Sequence, residues 1–401
     1  MNRLNRRAYA VMGVLMLLIA GFIYAWSVMA SFINKELNIA QGSLSLTFTL
    51  VMITFCLGGL LGGILGKKTK VINLLVSATL MLSMGLLIAS YTNGVALLYI
   101  GFGILSGLGS GIIYNVVMSN MSKWYPDKQG LISGIMLMGF GLSSFIVGKV
   151  FAAMSLGSDT SWRTTFKIFA IAAFILMAVL SVLFKGPVED YKVEGGTSKK
   201  KEPALELTPK EMIKKPAFIF YYLWAILTTG AGLTIVSQAS GIVTEASESI
   251  SAGTVATIVG LLAITNGLGR VIFGALFDKI KTNTVMTIDI MTFFLAGLSL
   301  LLYIKFHMMI LGIAGFVFCG LAYGAVPTVN SAIISDFFGR KNFAVNYSIT
   351  NTNLIIASFA STIAGKVFDN YGSYKYVALV MLIYTFVSLF AQIPVKRPKG
   401  E

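Results

Sequence analysis

Few side chains in this sequence combine reactive chemistry with a place inside an apolar run. Arg270 is the clearest. It lies in TNGLGRVIFGALFD, residues 265–278, with no acidic residue nearer in sequence than Asp278. At 1.5 Å rise per residue it is ~12 Å from that end of its run. A bare cation at a bilayer centre costs at least ~2.5 kcal/mol. A guanidinium matches a carboxylate with two parallel N–H···O bonds, so an anion is the partner its geometry suits. Ala263, Asn266, Gly267, Arg270 and Gly274 follow helical spacing and form one small, polar stripe. Leu261, Ile264, Leu268, Val271 and Ile272 occupy the rest of the turn. The plain alternative is snorkelling of the long side chain to the interface. The depth of Arg270 and the polarity of its stripe argue against it.

Three tyrosines, Tyr24, Tyr114 and Tyr323, fall away from the interfacial belts where membrane tyrosines gather. A buried phenol needs a hydrogen-bond partner, and a substrate carboxylate would serve. Asn266, Asn115, Asn351, Asn353 and Thr350 are further candidates, with interhelical hydrogen bonding as the simpler role for the last four. Glu245, Glu248 and Asp289 are placed at or near the ends of apolar runs, so no carboxylate is expected at the centre of a span. The anion facing Arg270 is therefore expected to be a substrate. His307, the one histidine, falls at a run end, and no nucleophile–base pair or metal cluster is visible. Cys56 and Cys319 lie in apolar runs without disulfide or metal spacing. Neither an enzyme nor a bound metal or cofactor is expected.

These residues must be positioned by membrane helices. The chain of 401 residues is 56% hydrophobic and 12% charged, against about 25% charged in soluble domains. A span needs ~20 mostly apolar residues. Twelve candidates follow: 8–31, 44–66, 71–91, 95–121, 131–153, 163–185, 217–242, 253–277, 283–304, 308–333, 345–367 and 374–394, hereafter spans 1 to 12. Only helices and closed barrels satisfy the backbone in lipid, and the strict alternation of a barrel strand is absent. The fold class expected is an all-α membrane protein with twelve transmembrane helices. The first run follows MNRLNRR without a small-residue cleavage site and reads as a membrane helix, not a signal peptide.

The net charge of +15 arises from short basic blocks between apolar runs, which argues for membrane orientation and against a nucleic-acid partner. With both termini cytoplasmic, 23 of the 31 basic residues fall on the cytoplasmic side. Arg270 alone belongs to neither side. Residues 186–216 are polar and charged and read as a cytoplasmic linker with a short helix near 208–214. They divide the chain into a six-helix bundle over 1–185 and another over 217–401, with a short cytoplasmic tail. The halves echo each other: GGLLGGILGKKTK after span 2 corresponds to GRVIFGALFDKIKT after span 8. Two six-span halves in one orientation are the parallel-repeat architecture of a large transporter class, with the site between halves near the midplane. Glycines crowd spans 4 and 5, where small residues let helices approach closely.

The sequence resembles the major facilitator superfamily. Within it, the resemblance is to the oxalate/formate antiporter family of bacterial carboxylate carriers, relatives of the monocarboxylate transporters. The residues that carry it are GSGIIYNVVMSNMSKWYPDKQGLISG, GFIYAWSVMASF, NGLGRVIFGALFDK and AYGAVPTVNSAIISDFFG. WYPDKQG is the specific signal, whereas KKTK is a degenerate loop lacking the usual acid. The resemblance implies a carboxylate site in which Arg270 clasps the substrate and Tyr24, Tyr114 and Tyr323 line the cavity. It also shows departures. Leu354 occupies the place of the oxalate carrier's second cation, and Cys319 and Asn351 replace two tryptophans of its cage. One cation suits one carboxylate, and a second buried anionic charge would go unpaired. A monocarboxylate such as lactate, pyruvate or formate is expected, carried by alternating access. Alternatives are an oxalate/formate-type anion exchanger or a superfamily exporter of unrelated substrates. Proton-coupled relatives have an aspartate one turn before the arginine, where Asn266 stands here. The co-transported species is thus either a proton or a counter-anion. A monomer in a bacterial inner membrane is expected.

Overall fold

The computed structural model describes residues 6–66, 68–125, 129–156, 161–186, 204–245, 250–339 and 342–398. Glu248, most of the linker, the centre of WYPDKQG and residues 340–341 lie outside the described residues. Every regular element among the described residues is helical. Among the described residues, eleven helices are long and apolar enough to cross a membrane. Spans 1 to 4 are Arg6–Leu37, Gln41–Leu65, Val71–Ser90 and Val95–Met121. Spans 5 and 6 are Gln129–Ser155 and Trp162–Leu183. Spans 7 to 10 are Pro216–Glu245, Ala252–Lys279, Thr282–Phe306 and Met309–Phe337, and span 12 is Tyr374–Gln392.

Span 11 is not the continuous helix that its apolar length suggests. It is divided into Phe343–Asn351, Asn353–Ala357 and Phe359–Tyr371. The polar run Thr350–Asn353 and Ser358 mark the breaks. There the Thr352 hydroxyl donates to the Ile349 carbonyl at 2.6 Å and the Ser358 hydroxyl to the Ile355 carbonyl at 2.7 Å. Such back-bonding competes with the helix ladder. The linker helix is Pro209–Met212. It starts at Thr208, whose amide and hydroxyl both donate to the Glu211 carboxylate, at 2.8 and 2.7 Å.

The chain forms two compact units, 1–198 with 251–260, and 199–250 with 261–401. In the first, Trp26 and Phe102 stack in the core with ring centroids 4.6 Å apart, and the Trp26 indole donates to the Leu44 carbonyl at 3.1 Å. Span 1 tightens into a 3-10 turn over Gly21–Ala25 where it meets the backbone of span 5 at Phe140. Span 4 widens into a π-helical stretch over Leu98–Ser106, in which the Gly103 carbonyl accepts the Thr54 hydroxyl at 2.7 Å. In the second unit, Tyr221, Trp224, Phe273, Met286, Ile290 and Val329 share a fully buried apolar core.

One packing device appears in both units. A side chain at Gly58 would collide with the Leu108 carbonyl, and one at Gly111 with the Phe55 carbonyl. Spans 2 and 4 therefore cross backbone to backbone. In the second unit Gly269 meets the Leu321 carbonyl and Gly324 the Asn266 carbonyl in the same way. Gly107 against Thr54 is matched by Gly320 against Thr265. Such close approach is what small residues permit in lipid. Large apolar side chains cover the outer faces, among them Val11, Ile64, Ile171 and Ile383, each about as exposed as Val271 at 64%. On a membrane-spanning chain that surface faces lipid, where an apolar patch needs no protein partner.

Candidate functional site

Span 8 opens with the Ser251 hydroxyl accepting the Thr254 amide at 3.2 Å, an N-terminal cap. From there its helical period fixes the faces. Ala263, Asn266 and Gly269 are buried, whereas Leu268, Val271 and Ile272 are exposed. Arg270 is half-buried on the inner side of this pattern. The glycine contacts with span 10 hold it there, because the Gly324 backbone packs directly beneath the Asn266–Arg270 turn.

The Arg270 Nε donates to the Asn266 side-chain oxygen at 3.1 Å. Its Nη1 is buried with no hydrogen-bond partner, and no described carboxylate forms an ion pair with the side chain. An orphaned charged donor costs more than the ~1–3 kcal/mol of a neutral one. Tyr347, from span 11, lies within electrostatic reach of the guanidinium and is hydrogen-bonded to the Asn351 side chain. Arg270, Asn266, Tyr347 and Asn351 thus form one polar group within the second unit. The first three come from two elements whose spacing along the chain gives no hint of this meeting.

Other candidates take different places. Tyr323 is 8% exposed and its ring lies against Gly232 of span 7. The Asn353 amide points to the Thr229 hydroxyl at 3.5 Å, and Thr350 donates to the Asn346 carbonyl at 2.9 Å. These are interhelical and intrahelical contacts of the ordinary kind. In the first unit, Tyr24 and Tyr114 come together through Phe140, with ring centroids 5.5 and 5.1 Å away. Phe55 stacks 5.3 Å from Tyr114 and 5.6 Å from Phe140, completing an aromatic group. Asn115 instead packs into the notch left by Gly62 and Gly63 on span 2.

One expectation is overturned. Asp289 is not at a helix end: it is two turns inside Thr282–Phe306 and fully buried, with both carboxylate oxygens lacking a hydrogen-bond partner. Asp289 is already the seventh residue of 283–304, but position along the span does not say that its turn faces the packed core. Tyr221, which donates to the Asn330 side-chain oxygen, faces Asp289 electrostatically. Glu245 does lie at an end, where it accepts the Tyr374 amide and the Ser373 hydroxyl, each at 2.6 Å. Tyr347 and Tyr221 were not singled out in the sequence. The signal for Tyr347 was its four-residue spacing from Asn351.

The sequence model of the Major Facilitator Superfamily matches residues 10–362. An oxalate:formate antiporter from Oxalobacter formigenes is 24% identical over 401 residues, covering 96% of this chain and 90% of its own. Monocarboxylate transporter 13 from Rattus norvegicus is 22% identical, covering 70% of this chain and 63% of its own. Among solved structures, a bacterial homologue of the human lysosomal transporter Spinster, inward-facing and occupied, superposes with a TM-score of 0.72. That match covers 98% of this chain and 96% of the other at 15% identity, a likeness of fold.

Proposed function

The chain belongs to the Major Facilitator Superfamily, a family of multi-pass membrane transporters, and from that premise we propose that it carries small monocarboxylates of the lactate, pyruvate or formate class. The observation that carries this reading is Arg270, a half-buried guanidinium whose buried Nη1 is unpartnered and which no described acid neutralises. A carboxylate would supply the missing acceptor and the missing charge together. Tyr347 and Asn351 stand ready at the same group, and Tyr24 and Tyr114 gather around Phe140 in an aromatic group of the first unit. The mechanism proposed is alternating access, in a bacterial inner membrane with both termini cytoplasmic.

A single cation selects one carboxylate over two. Purified protein is expected to be stabilised against heat by millimolar lactate, pyruvate or formate, and less by oxalate. Equal or greater stabilisation by oxalate would favour an oxalate/formate-type exchanger, a reading that the Oxalobacter relative supports. No stabilisation by any short carboxylate would remove the proposal.

The Asn266 contact yields a sharper expectation. Asn266→Asp places a carboxylate one helical turn from Arg270, where the wild-type side-chain oxygen is 3.1 Å from Nε. The new anion competes with substrate for the guanidinium. Apparent affinity for lactate at neutral pH is expected to fall about tenfold, the equivalent of ~1.4 kcal/mol. It should recover as pH falls and the new acid is neutralised. A pH-independent affinity equal to that of the wild type would separate Arg270 from substrate binding.

A further inference from the structure

The second unit buries an acid for which packing provides nothing. Asp289 has no exposed surface, and neither carboxylate oxygen meets a donor. An ionised carboxylate there would be stripped of water with no donor in return, so the neutral acid is the form this packing holds. Its surroundings are polar in a particular way. The Trp224 indole N–H is buried in the same core and also lacks a partner. Tyr221 stacks on Trp224 with ring centroids 5.7 Å apart and gives its hydroxyl to Asn330. Tyr221 is thus the donor within electrostatic reach of the acid, and its hydroxyl is lent to a neutral amide.

Electrostatic proximity runs further. Tyr221 lies within electrostatic reach of both Asp289 and Tyr347, and Tyr347 within reach of Arg270. The chain Asp289–Tyr221–Tyr347–Arg270 lies wholly within the second unit. The other titratable groups on the helices packed against span 9 are placed elsewhere. Asp336 of span 10 pairs with Arg397 at 3.0 Å, Tyr323 of span 10 lies against Gly232 of span 7, and Glu245 of span 7 accepts from Ser373 and the Tyr374 amide. Lys281 precedes the helix and is exposed.

We propose that Asp289 is a proton-binding site, linked through Tyr221 and Tyr347 to the anion site at Arg270, and that the chain moves one proton with each carboxylate. This rests on the carboxylate reading of Arg270 and names what accompanies the substrate. With the acid protonated, Tyr221 is bonded to Asn330 as observed. On release, the O–H bond of the Asp289 carboxyl breaks, the proton leaves to water, and the Tyr221 O–H is the donor available to the carboxylate that remains. An intramembrane acid is a functional residue by default because leaving it there without use is costly. The electrostatic chain gives it a means to sense whether Arg270 is neutralised.

The test uses the full chain in proteoliposomes, with lactate as the probe. Wild-type protein is expected to accumulate lactate when the lumen is made alkaline. Asp289→Asn should reduce that driven uptake about tenfold or more, within the span of ordinary coupling energies, and reduce lactate–lactate counterflow by less. Asp289→Glu, which retains the acid, should keep driven uptake with a displaced pH profile. Driven uptake that survives Asp289→Asn overturns the proposal, as does wild-type counterflow with no response to a pH gradient. A second readout needs no transport. Infrared difference spectra of wild-type protein should show the carbonyl stretch of a protonated carboxylic acid, sensitive to deuterium exchange and altered by Tyr221→Phe. Its absence overturns the proton site even if lactate is carried. If no short carboxylate undergoes counterflow, the reading of Arg270 fails, while the infrared band still decides Asp289.

Discussion

Arg270→Ala is expected to abolish measurable carboxylate binding while leaving the unliganded protein as stable as the wild type, or more so. The two halves of that statement have one cause. The Nη1 of Arg270 is buried and unpaired in the unliganded chain, and its Nε is held only by the Asn266 amide oxygen. Removing it relieves an uncompensated buried donor. Removing it from the complex leaves the substrate carboxylate as the unpaired charge. Truncating one member of a buried, hydrogen-bonded charge pair costs ~2–5 kcal/mol, which is about 30-fold to several thousand-fold in Kd. Arg270→Lys keeps the charge and loses the fork, so its affinity should fall between the two. Calorimetric or thermal-shift titration of all three proteins with lactate decides the matter. A variant that melts well below the wild type and still binds lactate would make Arg270 a packing residue.

Gly324→Val is expected to cost both stability and binding. A side chain at Gly324 would overlap the Asn266 carbonyl and come 3.2 Å from the Arg270 amide nitrogen. Backbone atoms, unlike the far end of a flexible side chain, cannot turn away. Span 8 must move off span 10, taking the Asn266–Arg270 turn with it. Overpacking of this kind costs ~1–3 kcal/mol. The displacement of the guanidinium from its positioned place adds to the loss, since misplacement by ~1 Å can cost about a hundredfold in positioned chemistry. The expected result is a melting temperature lower by several degrees and lactate affinity at least tenfold weaker, about 1.4 kcal/mol. Lowered stability with unchanged lactate affinity would show that this crossing does not position Arg270.

The membrane helices were legible because a run of apolar residues long enough to span is a composition signal that survives any tertiary arrangement. Span 11 departs from this where composition gives way to local chemistry. Thr350 to Asn353 bring hydroxyls and amides that bond to their own backbone, and the helix divides there although its overall length suffices. The inward face of span 8 was legible for a related reason: helical period converts the spacing of Asn266 and Arg270 into a shared face. What periodicity does not contain is which faces meet. Asn115 and Asn353 carry the same amide as Asn351, yet one fills a glycine notch, another bonds a threonine of span 7, and only Asn351 joins Tyr347 near the guanidinium. Asp289 was read as lying near an end because it is the seventh residue of its span, and distance from an end does not say which face of the helix is packed; the fold buries it completely.

The paired glycine crossings let one half of the chain be laid over the other residue by residue. Gly58 falls on Gly269, Gly111 on Gly324, and Phe55 on Asn266. By the same register, Arg270 falls on Gly59, which meets nothing closer than the Gly111 carbonyl at 3.8 Å. The halves thus agree wherever backbones must touch and disagree at the very next residue. A duplicated scaffold fastened by its glycines can keep one copy apolar and lend the other a charge without altering the crossing. Specialisation in this chain is therefore a broken symmetry written beside the residues that preserve it.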